Sequence, residues 1–252
     1  RSIAMGLPGH GDSDWAADGD YSLEAIARDL MDIAEQLAPR GIRPHVAGAS
    51  LGGLAATVAA GRLSRDAFMS VTIFDIGPNM DAVGVTKVVG FMGAHIENGI
   101  ESLEQAADLF AIYLPHRPRP KDLNGLRKNL RQDSKRRWRW RLDPAFIKDV
   151  MRRRAVARTG DIKQAIQNIC VLLNLIRGHM SELVSEESVT TFRALAPDAH
   201  CTDVAGAGHT PSSSSFRRRR ISAMRRRGTV AMAGCASAAL IRRGPIRSKW
   251  AL

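Results

Sequence analysis

The pentapeptide Gly48-Ala49-Ser50-Leu51-Gly52 sets a serine between glycines placed two residues before and two after it. An apolar run ending in His45-Val46-Ala47 precedes it, and a helix-like run from Leu54 to Ala60 follows. A serine at such a strand-to-helix turn is a nucleophile elbow. The turn is too tight for Cβ atoms at the flanking positions, and it holds the serine in strained backbone geometry. The hydroxyl is lifted above the sheet, and the first helical N–H groups, that of Leu51 foremost, face any oxygen that develops charge there. The chemistry open to this residue is attack on a carbonyl carbon, with a covalent acyl intermediate.

The elements that must position this serine follow in a regular order. Ser2 to Met5 reads as the end of a strand and leads into the turn-rich loop Gly6-Leu7-Pro8-Gly9-His10-Gly11-Asp12-Ser13-Asp14. Ser22 is the expected N-cap of a helix with Leu23, Ile26, Leu30, Ile33 and Leu37 on one face, stopped near Pro39 and Gly41. Arg43 to Ala47 is the strand into the elbow, and Val71 to Ile76 is the next strand, closed by Gly77-Pro78. From Ala82 to Asn168 the pattern is helical but irregular, broken by Leu114 to Pro120, and it carries the aromatic pair Trp138 and Trp140. A helical insertion between two strands commonly caps a site. Two uses of the tryptophans stay open here: walls of a substrate pocket, or pins that hold the cap to the core.

Ile169 to Ile176 is the longest apolar run and reads as a buried parallel strand. A helix from Ser185 to Leu195 and a last strand around His200 to Val204 lead to Ala205-Gly206-Ala207-Gly208-His209. Strands and helices in alternation predict an open parallel α/β sheet whose ligands bind beyond the carboxyl ends of its strands.

The charge is unevenly placed. Of a net +12, eleven positive charges and no negative one lie between Pro211 and Leu252, so the first 210 residues are close to neutral. Cys170, Cys201 and Cys235 are scattered and fit no metal spacing, which predicts a reduced, cytoplasmic protein without a bound metal. No apolar run is long enough to cross a membrane.

Four motifs in this order, Gly-His-Gly-Asp-Ser-Asp, the elbow, Arg-Gly-x-x-Ser-acid and Gly-Ala-Gly-His, resemble the α/β-hydrolase superfamily over residues 1 to 210. The nearest branch is that of epoxide hydrolases, esterases and haloperoxidase-like perhydrolases. The resemblance implies an α/β-hydrolase fold with a mostly parallel sheet and a helical cap. It assigns Ser50 as nucleophile, Glu182 as acid and His209 as base, with the Leu51 amide in the oxyanion hole and Asp75 as the alternative acid. His10 and His45 are expected to be structural. Relatives that open epoxides or remove halides use an aspartate as nucleophile, so Ser50 implies acyl transfer to water from a small ester or related compound, without an organic cofactor.

The same resemblance marks two departures. The strands and the His-Gly-type loop that members place before Ser2 are missing, which predicts a chain truncated at its N-terminus. It also removes one oxyanion donor, a loss worth about 10² to 10³ in turnover. One missing strand lies between the Ser2–Met5 strand and the elbow strand. Its absence predicts a gap of roughly 9 to 10 Å that must close to about 4.8 Å, or two open edges that favour self-association. After His209 the expected acidic turn and closing helix are replaced by a basic tail expected to be disordered. One reading of this tail is a shifted frame, since a one-base shift through Arg217 to Ala223 permits Gly-Asp-Asp-Glu-Ser-Ala.

The division expected is therefore a hydrolase core over 1–81 with the elbow, a helical cap over 82–168, core again over 169–210 with acid and histidine, and the tail over 211–252. Two further functional readings accompany the serine hydrolase. One is a non-catalytic remnant of such an enzyme. The other is a nucleic-acid or anionic-surface arm, disfavoured by the scarcity of aromatics in the tail.

Overall fold

The computed structural model describes residues 2–115, 118–153, 159–209 and 230–234. Strand β1 (Ser2–Met5) leads through the loop at Gly6 to Asp14 into helix α1 (Leu23–Leu37). Ser22 caps that helix as its position predicts, its Oγ accepting from the Ala25 N–H at 3.2 Å. Ile26, Ala27, Leu30, Ala34 and Leu37 recur at helical spacing and form its buried stripe. Strand β2 (His45–Ala49), helix α2 (Leu51–Val58) and strand β3 (Ser70–Phe74) follow. His45 Nδ1 and Ser70 Oγ, 2.7 Å apart, tie the starts of β2 and β3, and His10 Nδ1 donates to the Pro8 carbonyl at 2.9 Å. Both histidines thus hold backbone segments in place.

The segment after β3 contains helices α3 (Ala82–Gly93) and α4 (Leu103–Tyr113), strands β4 (Leu130–Gln132) and β5 (Trp138–Trp140), and helices α5 (Pro144–Arg153) and α6 (Thr159–Asn168). Its expected irregular helical character is corrected at β4 and β5, which pair antiparallel with Leu130 opposite Trp140 and Gln132 opposite Trp138. Asp133 makes the hairpin possible: its Oδ1 accepts from the Lys135 and Arg137 amides, and Arg136 takes the positive φ of 60°. The segment has its own apolar cluster of Ile100, Leu103, Ala106, Ala107, Leu126, Leu130 and Trp138. Helix α6 belongs elsewhere, since Ile162 and Ile166 pack into the main core beside the sheet.

Strand β6 (Leu172–Gly178), helix α7 (Glu186–Leu195), strand β7 (His200–Val204) and strand β8 (Val230–Gly234) complete the described chain. The main sheet is parallel throughout and runs β1-β8-β2-β3-β6-β7. Here the structure corrects two expectations at once. The place between β1 and β2 is neither closed nor open but filled by β8, with Ala4 and Ala47 both opposite Met232. Residues 230–234 are therefore ordered strand and not disordered tail; the rest of the tail, including Arg217 to Ala223 and Cys235, lies outside the described residues. A parallel strand inserted between two others satisfies the inward N–H and C=O groups of both, which is the reason the gap draws in a segment without polar side chains. No described helix is long and apolar enough to cross a membrane.

Candidate active site

Ser50 stands where β2 turns into α2, with φ 49° and ψ −118°, a conformation that costs a non-glycine residue of order 1–3 kcal/mol. The strain is imposed by packing. A Cβ on Gly48 would lie 2.2 Å from the Gly52 carbonyl oxygen, so strand and helix can approach this closely through glycine alone. The Ser50 N–H donates to the Phe74 carbonyl at 3.2 Å, which fastens the elbow to the end of β3. At the N-terminus of α2 the Leu51 amide is one of the helix's first N–H groups, which have no intrahelical acceptor.

The residue after Phe74 is Asp75, which also has a positive φ, 51°, and is fully buried. Its carboxylate is surrounded by donors. Oδ1 accepts from the Gly178 N–H at 2.9 Å; Oδ2 accepts from the Ser181 hydroxyl at 2.5 Å and lies 2.9 Å from His209 Nδ1. His209 itself is largely buried, with 13% of its side chain exposed. Its loop is pressed against the end of β6, where a Cβ on Gly178 would fall 2.5 Å from the Gly208 carbonyl oxygen. Met180 N–H to Ala207 O, at 2.8 Å, fixes the same approach.

Glu182, the acid implied by the resemblance, is not beside the histidine. It points outward, pairs with Lys87 at 2.6 Å and keeps 47% of its side chain exposed. The structure thus corrects the partner of His209 to Asp75. The physical reason is the path of the chain after β6: the turn at residues 178–181 puts Ser181, one residue earlier, against the buried carboxylate and carries Glu182 past it to the surface. Among the described residues no hydrogen bond joins His209 to Ser50.

Trp138 and Trp140 separate in role. Trp138 is buried within the inserted segment, and the Arg127 guanidinium lies 4.8 Å from its ring centroid. Trp140 stacks edge-on against Phe91 and Phe110 and touches a second cluster, Tyr21, Leu142, Phe146 and Ile147, which also packs on Leu51. Trp140 is thus the one of the pair on the elbow side. Among the described residues its buried Nε1 has no hydrogen-bond partner, nor has His10 Nε2. Burial lowers the affinity of the His10 imidazole for a proton, against the opposing hydrogen bond to Pro8. The inserted segment is stitched over the first loop by Gly11 N–H to Arg141 O (2.7 Å), Asp143 N–H to Gly9 O (2.8 Å) and the Tyr21 hydroxyl donating to Asp143.

Two surface concavities, about 270 Å³ beside Gly61 to Arg65 and about 320 Å³ beside Asp81 and Ser188, include none of Ser50, Asp75 and His209. His179, Glu186 and Asp203 bring ligand atoms within 4.8 Å of one another. Both carboxylates already hold the buried Arg177 guanidinium, which lowers the Glu186 carboxyl from its usual range. Their charge is spent on that ion pair.

Comparison with known proteins bears on the family and the fold. The family model described as Alpha/beta hydrolase family matches residues 1–221. Esterase Rv0045c of Mycobacterium tuberculosis is 27% identical over 197 residues, covering 74% of this chain and 60% of that protein. The chain therefore spans about 60% of the length of this curated relative. Among solved structures, E-2-(acetamidomethylene)succinate hydrolase superposes with a TM-score of 0.69 at 22% identity, over 83% of this chain and 75% of that one. An alpha/beta hydrolase from Novosphingobium aromaticivorans gives 0.65 at 22% identity, over the same shares of the two chains. These likenesses concern the fold.

Proposed function

The chain belongs to the alpha/beta hydrolase family, and from that premise we propose that it is a serine hydrolase acting on a small ester or related acyl compound. The observation that carries the reading is the 2.9 Å approach of His209 Nδ1 to the fully buried Asp75 carboxylate, one strand over from the strained serine of the elbow. A relative named as an esterase supports the substrate class.

A serine hydroxyl is a weak nucleophile until a base takes its proton. With Nδ1–H directed at Asp75, the His209 ring presents the lone pair of Nε2, and this is the atom that accepts the Ser50 proton as Oγ adds to the ester carbonyl. The hydrogen bond that this requires is of the kind that tightens as substrate binds. The carbonyl oxygen, now negative, is met by the Leu51 N–H at the start of α2. Collapse of the tetrahedral intermediate passes the proton from His209 to the departing alkoxide and leaves Ser50 acylated. Water then adds to the acyl carbon as it gives a proton to His209, and collapse of the second intermediate returns that proton to Ser50 Oγ and releases the acid. Asp75 keeps the imidazole in one tautomer and stabilises the imidazolium formed in both halves. Residues 82–153 act as the cover of this site, with Trp140 and Leu51 on its apolar side.

Labelling with a fluorophosphonate tests the reading. The folded chain is expected to form one covalent adduct, lost in Ser50→Ala. A folded chain that takes up no reagent at Ser50 would make the protein a non-catalytic member of its family.

A further inference from the structure

We infer that Ser181 is a positioning residue of the proposed site, acting through Asp75 to aim His209. The inference rests on the assignment of Ser50, His209 and Asp75 made above. Ser181 lies in the tight turn after β6, next in sequence to the glutamate that turns outward.

A hydroxyl has one proton to give and two lone pairs to offer. Both lone pairs of Ser181 Oγ are engaged by backbone, the Leu183 N–H at 3.1 Å and the Val184 N–H at 3.2 Å. Its proton consequently has one destination, Asp75 Oδ2 at 2.5 Å. Ser181 is fixed in turn by its own N–H, which donates to the Gly178 carbonyl at 2.9 Å. The hydroxyl is thus not a free rotor: its direction is set before it meets the carboxylate.

That direction has a consequence for the histidine. The same Oδ2 serves both Ser181 and His209, while Oδ1 is held by Gly178. The carboxylate cannot rotate about its terminal bond without breaking a donor contact at each oxygen. Oδ2 is thereby kept on the side of His209, and the ring is kept with Nδ1–H inward and Nε2 outward. The turn also orders the histidine loop directly, through the Met180 N–H to Ala207 O contact. Residues 178–181 form a single bracket around acid and base, and Ser181 is its one side-chain contact to Asp75.

Steady-state hydrolysis of p-nitrophenyl acetate by the full chain, with Ser181→Ala and Ser181→Thr, tests this. Ser181→Ala is expected to lower kcat by about 10- to 100-fold, the equivalent of one charge-assisted hydrogen bond, with KM within about twofold. Ser181→Thr, which keeps the hydroxyl, is expected to restore most of the loss. A folded Ser181→Ala with unchanged kcat overturns the inference, as does a loss that the threonine fails to rescue. A second readout does not depend on turnover: the downfield imidazole N–H proton resonance of His209, assigned by its absence in His209→Gln. It is expected to shift in Ser181→Ala and to return in Ser181→Thr; an unmoved resonance overturns the inference. If the parent chain shows no Ser50-dependent labelling, the hydrolase reading falls, and the resonance alone decides the positioning.

Discussion

The two flanks of the elbow are built by opposite means. On one side β2, β3, β6 and β7 stand side by side, and the contacts that join Asp75, Ser181 and His209 come from turns at adjacent strand ends. On the other side β1 is joined to the sheet through β8, and among the described residues it pairs with no other strand. Its following loop is held down by the inserted segment, through contacts such as Tyr21 with Asp143, which are 122 residues apart. The first flank is joined by turns at the ends of strands that pair directly, although Ser181 and His209 lie 106 and 134 residues from Asp75. Both flanks therefore close long loops; they differ in their pairing, which is direct between neighbours on the first and passes through the inserted β8 on the second.

If this contrast is sound, the largest effect lies on the first flank. Asp75→Asn is expected to reduce turnover by about 10⁴-fold, because an amide there no longer holds the imidazole in its working tautomer. Glu182→Gln is expected to leave turnover within about threefold, since an exposed pair such as that with Lys87 contributes about 0–1 kcal/mol. Initial rates for the two variants decide between the acids, and equal losses would dissolve the assignment of Asp75.

The second flank is broken by Met232→Pro. Proline removes an N–H from a strand paired on both sides and is expected to lower stability by about 3 kcal/mol. Amide exchange should then lose protection first at Ser2 to Met5, while β3 and β6 retain theirs. Uniform loss along the whole sheet would mean that the two flanks unfold as one unit and that the contrast is geometric only.

A smaller effect sharpens the picture at the join between the loop and the inserted segment. Burial, together with the neighbouring Asp143, pushes the Tyr21 hydroxyl up to about 12 from an ordinary value of 10. The unfolded chain therefore gives up this proton first as pH rises. The stability that neutral Tyr21 contributes is complete below about pH 10 and is lost progressively towards about pH 12. Urea midpoints across that window should fall more steeply in the parent than in Tyr21→Phe.

Much of this was readable from residue order. The elbow, the Ser22 cap and the loop ending in His209 are specified by residues within a few positions of one another, and each took the expected form. The hairpin at Trp138 to Trp140 was not readable. Trp-Arg-Trp in a stretch flanked by helical patterns carries no period long enough to separate strand from helix, and its pairing depends on Leu130 to Gln132 across a turn set by Asp133. The placement of Ser181 had a signal, since it stands beside the expected acid in the Arg-Gly-x-x-Ser-acid motif. Spacing alone could not tell which of the two residues would face inward.

The sequence by itself determined the strained serine, the helix starts and the histidine loop, because glycine geometry and side-chain caps act over a single turn of chain. Tertiary structure alone decided which carboxylate faces His209 and which strand lies beside β1. Asp75 and Glu182 are equally able to orient a histidine; burial beside the Gly178 amide and pairing with a lysine 95 residues away separated them. A strand that enters a parallel sheet from far along the chain is likewise chosen by the unpaired backbone it meets, and that choice leaves no local pattern in the residues that make it.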